Sequence, residues 1–357
     1  MKRKLQKIDL TGKQIYVGLD VHKRSWYTTI IFGDIIKQKS FSAESEHLYK
    51  YLSREYPGAD YHIAYEAGFS GFWPCEDLNN FGCKTIVVNP ADIPTSDKDE
   101  RNKTDKKDSK KIAMSLKGGL LEGIYVPTRQ EQEDRSLLRR RMGLVKQQTR
   151  VKNQIKAHLC IFKERIPEKF EDSRTHWSKN FIKALEEMEF TKSSGKEVLL
   201  SYLRDLDHFK QQIKDITKKI RELTKLEKYN ENFKILTSVP GFGLVTSATM
   251  LTEIIDIKRF SNFDNFVSFV GLCPTERSSG EKQKIGHMTK RRSNILRNYI
   301  IEATWTAIRH DPALGSYYNE RKQKIGSQKA IIKTARKLLS RVYYLLNSGE
   351  HYVKGVS

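Results

Sequence analysis

Three β-rich runs follow one another between Gln14 and Ser42, with no room between them for a helix. "QIYVGLD" and "WYTTIIF" are β-branched and aromatic, and "IIKQKSFS" alternates after a turn at Gly33-Asp34. Short polar turns between such runs predict three antiparallel strands, because parallel neighbours need a longer crossover. The pattern then changes. "SAESEHLYKYLSREYPG" reads as a helix, with Ser42 as its cap, Glu44 and Glu46 near its N-terminus and Pro57-Gly58 at its end. A strand "YHIAYEA", a short helix "GFWPCEDLNNFG", a strand "KTIVVNP" and a helix from about Thr104 to Leu116 follow.

Three antiparallel strands followed by αβ units is the order of the ribonuclease H-like fold, a mixed sheet flanked by helices. In that order the first and fourth strands lie side by side. Asp20 ends the first strand and Glu66 the fourth, so both carboxylates are expected at one sheet edge. Asp105 and Asp108, at i and i+3 in "NKTDKKDSKKIA", share one face of the helix packed on that sheet. Singly, each aspartate is more often a solvated or capping residue. Four carboxylates converging would repel one another and raise their pKa values, a cost that hard divalent cations remove. Mg²⁺ prefers oxygen ligands, and two ions about 3.5–4 Å apart activate an attacking oxygen and stabilise a leaving one. Mg²⁺, with Mn²⁺ as a substitute, is therefore the expected cofactor. Arg101, Lys103, Lys106 and Lys107 around the aspartates suit a phosphate backbone brought to the metals. His22 lies near this centre, and His287 near the serine pair discussed below; a lone histidine is usually structural, and neither is given a role.

The chain has 357 residues, enough for two or three domains, and its parts differ in character. Residues 13–129 make the mixed-sheet domain. Residues 130–230 are charged, helical and almost free of Gly and Pro outside a break around 164–196. Within them Leu206, Phe209, Ile213, Ile216, Ile220 and Leu223 alternate in steps of three and four, a coiled-coil seam that predicts a homo-oligomer, dimer or tetramer. An amphipathic helix packed on its own domain needs only a looser pattern. Residues 231–350 are mainly helical and open with "ILTSVPGFGLVTSATMLTEI". Its Pro240-Gly241-Phe242-Gly243 core between apolar helices is similar to a helix-hairpin-helix, where Gly241 and Gly243 would let backbone amides approach a DNA phosphate. An ordinary helix connection is the plainer account of the same residues.

Lys and Arg number 65 against 43 Asp and Glu, a net charge of +22 and a pI near 9.6, which suits a polyanionic partner. No apolar run of about 18 residues and no signal-peptide pattern is present, so membrane insertion and secretion are not expected. Cys75, Cys83, Cys160 and Cys273 form no zinc pattern and read as reduced thiols of a cytoplasmic, nucleoid-associated protein.

"GLDVHK", "YEAGFSGFW", "VVNPADI" and "RNKTDKKDSKKIA", then "SVPGFGLVTSATMLTEI" and "FVSFVGLCPTERSSGEKQKIGHMTKRRSNILRNYIIEAT", resemble the DEDD-type transposases of the insertion-sequence 110 family. The resemblance runs in order over nearly the whole chain; the central helical region matches in character rather than motif. It implies a RuvC-like catalytic domain and a C-terminal transposase domain. It further implies a recombinase that acts as an oligomer on donor and target DNA, guided by a noncoding bridge RNA. On it, the tetrad is Asp20, Glu66, Asp105 and Asp108, joined by a serine nucleophile in "PTERSSGEK". Ser278 and Ser279 both precede Gly280, and Ser279, directly before the glycine, is the better match. Lys290, Arg291, Arg292 and Arg297 are expected to grip nucleic acid, against the plainer reading of a solvated basic helix face. No GxxxxGK[ST] nucleotide motif occurs, in keeping with energy-neutral strand exchange. Two other classes compete: a stand-alone structure-specific nuclease and a non-catalytic nucleic-acid-binding protein.

Overall fold

A computed structural model describes residues 9–94, 104–279, 282–288 and 294–355. The chain forms two compact units, Met1–Thr128 and Arg129–Ser357.

The first unit is built on a five-stranded mixed sheet of order β3-β2-β1-β4-β5. Strands β1 (Gln14–Val21), β2 (Ser25–Phe32) and β3 (Ile35–Ser42) form the expected antiparallel meander. Helix α1 (Ser45–Glu55) leads to β4 (Asp60–Glu66), which pairs parallel with β1 as the strand order requires. Helix α2 (Trp73–Asn80) then leads to β5 (Lys84–Val88), parallel to β4, and helix α3 (Asp105–Lys117) follows. Ser42 does not cap α1 as expected. It ends β3, its hydroxyl meets the His47 ring, and Glu44 is the capping residue, without a side-chain hydrogen bond.

Alternation along the strands gives the sheet two different faces. Ile15, Val17, Leu19, Ile63 and Tyr65 point to one face and bury Leu48, Leu52 and Leu78 of α1 and α2. Ala64 and Val88 meet Ile112 of α3 on the other. The approach of α3 depends on Gly18, where a Cβ would stand 2.2 Å from the Ser109 carbonyl oxygen and 2.4 Å from the Ala113 nitrogen. Buried Ser109 and Thr29 share a hydroxyl hydrogen bond of 2.8 Å, and Gln38 Nε2 donates to Thr29 Oγ1 and to the Lys106 carbonyl. The first turn of α3 is thereby fixed against β1 and β2.

The second unit is almost wholly helical. Its long helices α4 (Arg129–Ile161) and α6 (Ser193–Leu223), with α5 (Lys179–Glu187) between them in sequence, enclose a core around Ile155, Phe181, Leu185 and Leu199. Helices α4 and α6 run antiparallel: His158 bonds the Gly195 carbonyl near one end, and Arg141 bonds Thr217 toward the other. The apolar seam of α6 is partly spent within the chain. Leu206, Ile220 and Leu223 are buried, while Phe209, Ile213 and Ile216 are half-buried. The reason is that α4 returns alongside and supplies an apolar face, so the seam does not by itself require a second chain.

Helices α7 (Glu227–Ser238), α8 (Leu244–Ile254), α9 (Phe263–Val270), α10 (Asn294–His310), α11 (Pro312–Ile325) and α12 (Ser327–Ser348) form the remaining core with Leu138 of α4. Glu253 on α8, 4% exposed, is held by a bidentate pair from Arg139 at 2.8 and 3.0 Å. Between α9 and α10 the chain forms a hairpin of β6 (Pro274–Ser279) and β7 (Lys282–Met288), which the mainly helical expectation for this part did not include. Its sequence is polar on both faces and carries little strand signal. No helix among the described residues is long and apolar enough to cross a membrane.

Candidate active site

The register of the sheet decides where the acidic residues meet. Leu19 and Tyr65 are Cα partners in the parallel β1–β4 pair, so Asp20 and Glu66 follow them at the same end of neighbouring strands. Gly18 faces α3, and Asp20, two residues on, shares that face. Asp105 and Asp108 occupy the first turn of α3, which Gly18 and the Ser109–Thr29 bond hold in place. Glu66 and Asp108 are half-buried, whereas Asp105 is exposed.

The centre contains a residue to which no role was given from sequence. His22 Nε2 lies 3.3 Å from Asp20 Oδ2 and 3.3 Å from Asp105 Oδ2. The three side chains offer ligand atoms within 4.8 Å of one another, an arrangement that can hold a metal ion. Burial pushes the Asp20 carboxyl above its ordinary range; Asp105 and Asp108 push the same way, and His22 opposes them. Burial is thus the main cost to the Asp20 charge, and the neighbouring aspartates add to it. The Asp20-x-His22 spacing is visible in sequence, but the histidine's second partner comes from another element, and that is what makes it part of the site.

Other expected residues fall in different places. Lys106 is exposed on α3, one turn from Ser109, and its carbonyl is the one that Gln38 holds. Arg101, Lys103, Lys290, Arg291 and Arg292 lie outside the described residues. Arg297 is half-buried on α10. Ser278 and Ser279 end β6, with Gln283 and Lys282 as their Cα partners on β7.

The Pro240–Gly243 stretch is the turn between α7 and α8. Gly241 has φ +88°, and a Cβ there would stand 2.3 Å from the Ala303 carbonyl oxygen of α10, so its lack of side chain serves packing. Gly243 differs. It caps α8 with no side-chain hydrogen bond, and a Cβ on it would meet nothing within 4 Å. A cleft of about 440 Å³ opens beside this turn, with His310 and Lys354 on its wall. Open amides at a helix start, near a lysine, suit an anion.

Comparison with known proteins places the chain in a family. A family model of DEDD-type insertion-sequence 110 transposases matches residues 17–163, which include all four acidic positions. A second, the transposase IS116/IS110/IS902 family, matches residues 233–319. The transposase for insertion sequence element IS1533 of Leptospira borgpetersenii is 25% identical over 300 residues, covering 82% of this chain and 85% of the relative. The y4qE protein of Sinorhizobium fredii is 26% identical over 311 residues, 87% of this chain and 71% of the relative. The transposase for IS1111A of Coxiella burnetii is 26% identical over 234 residues, 64% and 61% of the two chains. With both family models matched in order along one chain, the protein belongs to the IS110 family of insertion-sequence transposases.

Proposed function

We propose that this transposase cuts and rejoins the DNA of a mobile element through a RuvC-like, ribonuclease H-type carboxylate centre and a serine nucleophile. The observation that carries the reading is the meeting of Asp20 and Asp105 on His22, beside Glu66 at the end of the neighbouring strand. Asp20, Glu66, Asp105 and Asp108 would hold divalent metal, Mg²⁺ or Mn²⁺, and His22 would add a nitrogen donor. The donor set fits, since the ligand atoms of Asp20, His22 and Asp105 already lie within 4.8 Å of one another and the crowded carboxylates need positive charge. When bound, such ions neutralise the scissile phosphate and ease deprotonation of an attacking hydroxyl.

The rest falls to the chain. The Ser279 hydroxyl oxygen attacks phosphorus, a P–O bond to serine forms, and the bond to the DNA 3′ oxygen breaks. The serine proton is taken up, in balance, by the 3′ hydroxyl that leaves. The product is a 5′ phosphoserine that keeps the bond energy, and reversal by another 3′ hydroxyl rejoins strands without ATP. Gly243 and the first turn of α8, as a helix-hairpin-helix-type contact, with Lys106, Lys290, Arg291, Arg292 and Arg297, would hold backbone phosphates. A bridge RNA would select donor and target, and a homo-oligomer would bring carboxylates and serine to one phosphate, limiting stray cutting by a chain that binds DNA everywhere.

The test is a denaturing gel for a covalent protein–DNA adduct, with RNA copurified from the expressing cell. Asp20→Asn, Asp105→Asn or EDTA should abolish the adduct, and Ser279→Ala should bind DNA and RNA yet trap none. His22→Ala should weaken Mn²⁺ binding by at least about tenfold, as expected on losing one ligand or its partner. An adduct that survives in both Ser279→Ala and Ser278→Ala, or full activity in EDTA, overturns the reading. Religated strand-exchange products separate it from a simple nuclease.

A further inference from the structure

A cleft of about 580 Å³ lies in the second unit where α4, α5 and α6 diverge. It is lined by none of the acidic, serine or glycine-turn residues of the proposed site, and its composition is unusual for a helical junction. Leu203 and Leu206 are buried at its floor, and Trp177 is half-buried on its wall. Four lysines border it, Lys152, Lys179, Lys183 and Lys210, against the carboxylates of Glu186 and Asp207. Lys152 Nζ lies 5.3 Å from the centre of the Trp177 ring. Among the described residues neither Lys152 nor Lys210 has a carboxylate partner within ion-pair distance. Burial, and then the nearby charge of Lys210, push the Lys152 amine below its ordinary range.

Trp177 also sits in a backbone conformation that bulky residues avoid, at φ +68°. Its neighbours hold it there. His176 stacks on Phe181 at 4.7 Å and bonds the Phe170 carbonyl at 2.9 Å, and Phe181 meets the Trp177 ring edge-on at 5.5 Å. Strain that packing maintains around an aromatic ring at a cleft marks a place built for a contact. A chain with net charge +22 will show lysine clusters by chance. An aromatic ring, an apolar floor and two ammonium groups without a carboxylate ion-pair partner among the described residues, one of them over the ring, are a more particular combination in one cleft. A phosphate alone would not need the ring, and an apolar ligand would not need the lysines.

We infer that this cleft binds one unpaired nucleotide of a single strand, its base stacked on Trp177 and its flanking phosphates held by Lys152 and Lys210. Its size suits a nucleotide, and base–aromatic stacking beside basic side chains is how proteins grip single strands. The inference goes beyond strand cleavage: it needs only that this chain meets an unpaired strand, displaced DNA or RNA.

The full-length protein, titrated with a 12-mer of dT or of rU, should show quenched tryptophan emission. Of the four tryptophans, Trp177 is the one expected to report, so Trp177→Phe should lose most of the quench. Trp177→Asn, which tolerates the left-handed backbone and so keeps the fold, should weaken binding about tenfold. Lys152→Ala with Lys210→Ala should lower the slope of log K against log salt by about 1.4. Binding of either oligonucleotide upholds the site, and their ratio says which strand it prefers. An equal quench in Trp177→Phe, an unchanged salt slope, or displacement of the oligonucleotide by polyglutamate at equal charge would overturn it. Because the readout is binding without cleavage, a failed strand-exchange reaction leaves this result standing.

Discussion

At Gly241 two separate penalties fall on any substitution: φ is +88°, and a Cβ would press on the Ala303 carbonyl oxygen. Gly241→Ala should therefore cost about 2–4 kcal/mol in thermal or urea unfolding. Gly243, two residues on, has an extended backbone and open space, so Gly243→Ala should cost less than about 1 kcal/mol. Gly243→Asp should keep stability, since aspartate is a good N-cap, but weaken binding of duplex DNA measured by anisotropy, because it sets a negative charge where a phosphate would lie. Unchanged DNA binding in that variant would remove the turn from the nucleic-acid surface. The glycines thus show what sequence reading reaches at this scale. The Pro-Gly-Phe-Gly turn was legible, yet the packing demand on Gly241 comes from α10, far along the chain. The same holds at the acidic centre. Asp105 and Asp108 were legible because an i, i+3 pair on a helix declares its common face. His22 was not, because its second partner, Asp105, belongs to another element.

Periodicity located α6 correctly but could not say what its seam packs on. An apolar repeat at steps of three and four specifies a narrow face to be covered, and α4 covers much of it from within the chain. Ile220 is fully buried while Ile213 is only half-buried, so the two positions separate folding from assembly. Ile220→Glu should lower stability by about 3 kcal/mol or more, because it buries an unpaired charge in the core with Leu138 and Leu223. Ile213→Glu should leave the melting temperature within a few degrees. If α6 also pairs between protomers, Ile213→Glu lowers the mass seen by light scattering, and an unchanged mass places assembly elsewhere. The β6–β7 hairpin was missed for the opposite reason. Its strands lack an apolar face, so the period-2 signal that identified β1, β2 and β3 has nothing to act on. The sheet order of the first unit was legible because local runs, turn lengths and strand sequence all point to one arrangement.

Across the second unit, one buried carboxylate ties the end of the chain to the helical core. Asp311 is fully buried and caps α11 by accepting from the Leu314 amide at 2.8 Å. Its other oxygen accepts from Tyr352 at 2.6 Å, Arg341 at 3.0 Å and the Gly355 amide at 3.1 Å. The Tyr352 amide in turn donates to Ser238 at the end of α7, so the latch spans α7, α11, α12 and the C-terminal segment. Burial alone would push the Asp311 carboxyl up; the hydrogen bonds from Tyr352, Leu314 and Gly355, with the charge of Arg341, outweigh it and hold the carboxyl below its ordinary range. A carboxyl depressed on folding stabilises at pH values above its unfolded pKa of about 3.9, and that contribution is lost as pH falls through the lower folded value. Acidification below about pH 4 should therefore weaken the second unit through this residue, whose contribution is full and constant between pH 6 and 8. Asp311→Ala should cost about 3 kcal/mol at neutral pH, since it leaves Arg341 unpaired and α11 uncapped, and lower the melting temperature by roughly 10 °C. The variant's stability should also fall less steeply than the parent's between pH 5 and 3, measured by urea unfolding at each pH. Parallel pH profiles would show that the acid response is carried by other carboxylates.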